Sequence, residues 1–231
     1  MESKGSDTTS TTMSAAFHFL LHHPEALQRA QSEVRAAFAS GDEIRTGKQL
    51  DSCKTLESCL KESLRLAPAV ANFMPRRVGD GGAVIDGCIV PEGTIVGASL
   101  YALHRNPEHF PDPDVYRPER WMADQGRDPT GEFSKAMQKA FNPFSAGPRM
   151  CVGSKLAWME LAVTVAKTLF VYDLRLTDDC PCQRSFVQGQ KCDFRLKSFA
   201  TAFVDGPVVQ VRRRLGSVQG NGIERAEAMK R

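Results

Sequence analysis

The residue with the most chemical promise is Cys151, set in the run Phe144-Ser145-Ala146-Gly147-Pro148-Arg149-Met150-Cys151-Val152-Gly153 just ahead of a long amphipathic stretch. A cysteine at the start of a helix faces backbone N–H groups with no intrahelical partner and the positive end of the helix dipole. Both favour thiolate. Gly147 is free to take the positive φ that lets such a loop curl, and Gly153 allows close backbone approach. Arg149 contributes a planar fork of donors suited to a carboxylate. A lone cysteine in a turn is more often a small packed apolar residue, so the weight rests on the whole run rather than on the sulfur.

Three further groupings carry charge or hydroxyl chemistry. Glu62 and Arg65, at i and i+3, share a helix face and can pair, although an isolated pair of this kind is usually an exposed contact of little energy. Arg120 lies in Tyr116-Arg117-Pro118-Glu119-Arg120-Trp121. Gly5-Ser6-Asp7-Thr8-Thr9 sets a hydroxyl beside a carboxylate, the makings of a proton relay. Asp and Thr are also good helix N-caps.

Taken in order along the chain, these four groupings resemble the cytochrome P450 family of haem-thiolate monooxygenases. The cysteine run matches the family's Phe-x-x-Gly-x-Arg-x-Cys-x-Gly loop at every fixed position. The resemblance implies haem b as cofactor, with Cys151 as the axial thiolate of its iron. Arg149 would pair with a haem propionate, Phe144 would shield the sulfur, and Gly147 and Gly153 would shape the loop. A thiolate ligand pushes electron density to the iron and favours O–O cleavage, a property for which cytochromes P450 are themselves the usual example. Glu62, Arg65 and Arg120 would form one buried structural network, and Asp7 and Thr8 would relay protons on the other face of the haem. The sequence departs from the family at Lys4, where a small residue is expected beside the oxygen site. His104-Arg105-Asn106-Pro107 also resembles a family segment, and Arg76 or Arg77 would approach a propionate.

The resemblance runs over residues 5–211, about half of the family's fold. The expected fold is therefore mainly α with small β-sheets, the C-terminal half of the cytochrome P450 fold with the N-terminal helices missing. Residues 1–215 form that domain and residues 216–231 a polar, disordered tail. The expected activity is insertion of one atom of dioxygen into a small organic substrate, with electrons from a reductase partner. The alternative is a truncated product with impaired haem binding and no turnover, at most an interaction partner. Eukaryotic members of the family sit on the cytosolic face of the endoplasmic reticulum. Here membrane association would come only through the missing N-terminal part.

The elements that must position these residues follow from periodicity and punctuation. Met13, Ala16, Phe17, Leu20 and Leu21 form a helical stripe over residues 12–22, which His22-His23-Pro24 ends. Pro24 opens a second helix that runs to Phe38 and stops at Gly41. A third is expected over residues 50–66, with Cys53, Leu56, Leu60 and Leu64 on one face. Residues 83–96 read as strands: Asp86-Gly87 signals a hairpin, and Pro91-Glu92-Gly93 a type I turn with Pro second and Gly fourth. A short helix follows from Ser99 to His104. Pro107, Pro111, Pro113 and Pro118 then enforce an irregular meander. Residues 124–142 read as a polar loop. Val152 to Phe170 is a long amphipathic helix with Leu156, Met159, Val163, Ala166 and Phe170 on its apolar face, and short strands occupy 171–211.

Composition sets the outer bounds. Hydrophobic residues at 42% and charged residues at 25% are ordinary for a globular domain. The net charge is +3, with Lys and Arg scattered among acids, so no nucleic-acid partner is implied. The tight basic cluster, Arg212-Arg213-Arg214, fits the end of a last strand. Seven cysteines, an odd number, read as reduced thiols rather than a disulfide framework. Cys180, Cys182 and Cys192 lack a fourth ligand at zinc spacing. No apolar run approaches the ~20 residues of a membrane span.

Overall fold

A computed structural model describes residues 4–122, 131–177, 196–198, 201–203 and 206–214. The C-terminal tail and the cysteine trio at 180, 182 and 192 lie outside these residues, as does the side chain of Lys4. The described part is mainly helical with four small antiparallel sheets.

Four helices make the core: α1 (Lys4–His22), α2 (Pro24–Ala37), α4 (Lys54–Leu66) and α7 (Ser154–Val171), with the short α3 (Lys48–Asp51) leading into α4. Helix α1 packs against α2, α4 and α7, burying Ala15, Ala16, Phe19 and Leu20. It starts well before the apolar stripe does. Gly5 to Thr9 therefore lie inside the helix rather than capping it, and the Thr8 and Thr9 hydroxyls both donate to the Gly5 carbonyl. Pro24 stands at the first position of α2, as its fixed φ and missing N–H favour, and Ala26, Ala30 and Val34 form the buried stripe.

The single helix expected over 50–66 is broken at Ser52-Cys53. The reason lies on another element. The Glu33 carboxylate, from α2, accepts the Thr55 and Leu56 N–H groups, each at 2.9 Å. Two orphan donors of α4 are thus satisfied from outside, which fixes a fresh helix start. Helix α7 follows its expected span closely but is rotated. Ala166 and Phe170 of the expected face are buried, but Leu161, Val165 and Leu169 join them, whereas Leu156 and Met159 are exposed.

The Asp86-Gly87 hairpin forms between β2 (Ala83–Ile85) and β3 (Cys88–Val90), with Asp86 at φ 49° and Gly87 at φ 76°. Positive φ at both turn residues matches the twist of the strands. At the next turn the Thr94 N–H donates to the Pro91 carbonyl, so Gly93 stands third, at φ 77°, and not fourth. Strand β1 (Arg76–Arg77) pairs with β4 (Ile95–Val96). Ser99 caps the short α5 (Leu100–Leu103) through its side chain. Strand β5 (Tyr172–Leu176) pairs with β8 (Val209–Arg213), which carries Arg212 and Arg213, and β6 (Lys197–Ser198) pairs with β7 (Ala202–Phe203).

The segment 132–140, expected as loop, is helix α6 (Glu132–Ala140). Met137 and Ala140 are buried with Phe110 of the meander, and Trp121 and Phe141 pack against them. Few apolar residues suffice here because the meander supplies the other half of the small core.

Large apolar side chains are exposed on the β2–β3 hairpin, at Val84, Ile85 and Ile89, and around the start of α7, at Met150, Val152, Leu156 and Met159. Exposed large apolar side chains of this kind bind hydrophobic dyes and promote association when they cluster. The chain is expected to bind such a dye and to self-associate, and Leu156→Ser with Met159→Ser should reduce both. Unchanged dye fluorescence and elution volume in that double variant would contradict this.

Two histidines are buried in the described core. Burial, reinforced by His22 and His23, holds His18 down at about 3; burial, with Arg65 nearby, holds His104 at about 4. Both lie below the unfolded value of 6.5, so between pH 6.5 and 4 the unfolded chain binds more protons than the folded one. The stability present above pH 6.5 is therefore lost as pH falls. At pH 5.5 each histidine removes about 1.4 kcal/mol. Urea midpoints across this range should drop on acidification, and drop less in His18→Gln. A flat profile from pH 7.5 to 5 would refute the assignment.

Candidate cofactor site

The polar centre of the fold is a buried carboxylate. Glu62 is fully buried and accepts five hydrogen bonds. Its Oε1 takes Arg65 Nη2 at 2.9 Å, Arg120 Nε at 2.9 Å and the Arg117 amide at 3.0 Å. Its Oε2 takes Arg65 Nε at 2.9 Å and Trp121 Nε1 at 2.8 Å. Arg65 spends its remaining donors on the carbonyls of His104 (2.8 Å), Pro113 (2.5 Å) and Val115 (3.2 Å). All five of its N–H groups are thereby placed, the condition for tolerating a buried guanidinium. The sequence pointed to Glu62, Arg65 and Arg120. It did not reveal Trp121, the Arg117 amide or the carbonyl acceptors. A signal was present: a proline-rich meander cannot form a ladder, so its carbonyls need donors from elsewhere.

The cysteine loop begins two residues beyond α6. The Ser145 N–H donates to the Asn142 carbonyl at 2.9 Å, Met150 to Gly147 at 3.1 Å, and Cys151 to Phe144 at 2.9 Å. Two left-handed residues make the curl possible, Gly147 at φ 74° and Ser145 at φ 64°. Gly147 has open space where a Cβ would stand, so backbone conformation and not crowding requires glycine there. Gly153 is the N-cap of α7 at an ordinary φ, and a Cβ on it would meet only the Cys151 sulfur, at 3.9 Å. Cys151 is exposed two residues ahead of that cap.

A cleft of about 260 Å³ lies between this loop and α1. Phe144, Arg149 and Cys151 line it from the loop, and Thr8, Thr9 and Thr12 from the helix. The rest of the wall is apolar, including Leu64, Val70, Met74, Leu100 and Leu161, with the small Ala157 beneath. The structure thus brings together Thr8, Phe144, Arg149 and Cys151. Asp7 is exposed and lines no part of the cleft, and neither do Arg76 and Arg77. The Glu62 network stands behind it, on the helix that contributes Leu64. The sequence missed Thr12, although it lies one turn beyond Thr8 and its hydroxyl donates to the Thr8 carbonyl at 2.9 Å.

These residues fit a haem. A flat apolar ring needs apolar walls, its metal a soft donor on one face, and its acidic edge a cation at the rim; Leu64, Val70 and Leu161, Cys151, and Arg149 are of those kinds. A family model for cytochrome P450 matches residues 3–191. The chain is 36% identical over 222 residues to a cytochrome P450 monooxygenase of Gibberella zeae, covering 93% of this chain and 50% of that protein. It is 38% identical to cytochrome P450 monooxygenase poxM of Penicillium oxalicum, covering 90% of this chain and 38% of the relative. For cytochrome P450 monooxygenase atnE of Emericella nidulans the figures are 35%, 91% and 39%. The chain belongs to the cytochrome P450 family. It spans about half the length, or less, of these relatives. No helix among the described residues is long and apolar enough to cross a membrane.

Proposed function

We propose that the cleft holds haem b with Cys151 as axial ligand, and that the chain is the haem-binding part of a monooxygenase acting on a small organic substrate with electrons from a reductase. The observation that supports this reading is the convergence of Cys151, Arg149 and Phe144 from one loop and Thr8 from α1 on a single apolar cleft. When bound, the haem iron supplies dioxygen activation, to which a thiolate ligand contributes electron density. The chain's own residues do the rest. Arg149 holds the carboxylate edge as a two-donor fork, and Leu64, Val70 and Leu161 exclude water. The Thr8 hydroxyl lines the cleft and donates to the Gly5 carbonyl at 3.1 Å, which leaves its oxygen able to accept a proton and pass it on. Asp7, one residue earlier and exposed, is placed to exchange protons with solvent. Glu62, Arg65 and Arg120 hold the fold under the loop and take no part in the chemistry. The setting suggested by eukaryotic members of the family is the cytosolic face of the endoplasmic reticulum membrane.

A second reading, weak haem binding without turnover, is favoured by the exposure of Leu156 and Met159 on the first turns after Cys151, which leaves that side of the loop open to water. One titration separates them. The chain is loaded with haem, reduced and exposed to carbon monoxide, and the Soret band is recorded. Stoichiometric haem with a strongly red-shifted band supports the first reading. Substoichiometric haem with an unshifted band supports the second.

A further inference from the structure

His104 is fully buried, yet neither the Glu62 network nor the cleft uses its side chain. It joins the two through its own atoms. Its carbonyl accepts Arg65 Nη1 at 2.8 Å, and its ring Nε2 accepts the Asn142 N–H at 3.1 Å. Asn142 directly follows the C-cap of α6, and its carbonyl accepts the Ser145 N–H, the first bond of the cysteine loop. Glu62, Arg65, His104, Asn142 and Ser145 thus form one continuous chain of hydrogen bonds from the buried carboxylate to the loop. The imidazole is wedged between Phe110 and Phe141, with ring centroids at 6.2 and 5.4 Å, so its direction is set by packing.

We propose that His104 is a positioning residue for the cysteine loop, its Nε2 fixing through the Asn142 amide the point at which the chain leaves α6 and turns toward Cys151. A ring nitrogen that accepts from a backbone N–H carries no proton, so the neutral ring bears its hydrogen on Nδ1. Burial, which holds His104 well below the usual histidine range, agrees with that form. Phenylalanine has nearly the same shape but no acceptor, and leaves the Asn142 N–H unpaired. Glutamine can set a carbonyl oxygen near the Nε2 position. The role of the loop itself rests on the haem-thiolate reading; the role of His104 in ordering the loop does not.

The test compares the chain with His104→Phe and His104→Gln by amide hydrogen exchange without haem, then by the carbon monoxide spectrum after haem loading. In His104→Phe, exchange at Asn142, Ser145 and Cys151 is expected to rise about tenfold or more relative to α2 and α7. The red-shifted fraction of the bound haem should fall. His104→Gln should restore both toward the parent. Unchanged exchange in His104→Phe overturns the proposal, and so does a rise spread evenly over all helices that glutamine fails to reverse. If loop exchange responds as expected but no variant, the parent included, gives a red-shifted band, the haem-thiolate reading fails and the positioning role stands.

Discussion

Cys151→Ala is expected to abolish the red-shifted carbon monoxide band completely, while Cys53→Ala, Cys59→Ala and Cys88→Ala each leave it in place. The selectivity follows from where the sulfurs lie. Cys53 and Cys59 are buried in the helical core, and burial pushes their thiols up to about 11 and about 12. A thiol held protonated at neutral pH is a poor metal ligand. Cys88 is exposed on β3, in the hairpin, and lines no part of the cleft. Cys180, Cys182 and Cys192 carry no loop pattern and are expected to be dispensable as well. Cys151 alone among the described cysteines lines the cleft, exposed and opposite Thr8. Haem content and the carbon monoxide difference spectrum of each variant decide the matter. A red-shifted band surviving in Cys151→Ala would remove the ligand assignment, whatever the other cysteines do.

Glu62→Ala is expected to destabilise the fold by about 3–5 kcal/mol, because it leaves Arg65 and Arg120 buried or nearly so without their counter-charge. Five donors lose their acceptor in one step, and the space is too polar to collapse onto apolar side chains. Arg65→Ala should cost a similar amount, since it strips Glu62 of a bidentate partner and the carbonyls of His104, Pro113 and Val115 of their donor. The double variant should cost far less than the sum, because the second change removes a group already made unfavourable by the first. Arg65→Lys does not substitute: an ammonium has three donors and cannot reproduce the planar fork. Urea unfolding of the single and double variants measures the coupling. Strict additivity, or a loss below about 1 kcal/mol for Glu62→Ala, would mean the three residues do not act as one unit.

What the sequence by itself determined about this protein is the chemistry that a few neighbouring residues encode. The cysteine loop was legible through its match to the family's run, and through Gly147, which is needed at a positive φ within it. The Asp86-Gly87 hairpin was legible for the second of these reasons, and the start of α2 because Pro24 presets its first φ. Each of these rests on dihedral preference and caps acting within one turn of chain. The tertiary structure decided whatever depends on partners distant in sequence. Glu33 breaks the helix at Cys53 from α2, 22 residues upstream of the amide it caps. Trp121 reaches Glu62 across 59 residues, and Asn142 reaches His104 across 38. Helix α6 exists because Phe110 and Trp121 cover Met137, which a reading of its own polar residues does not show. The buried face of α7 turned away from Leu156 because α1, α2 and α4 press on Leu161, Val165 and Leu169 instead. A backbone torsion is chosen by the residue that bears it, whereas a buried charge or an apolar face is satisfied by whatever the fold brings against it.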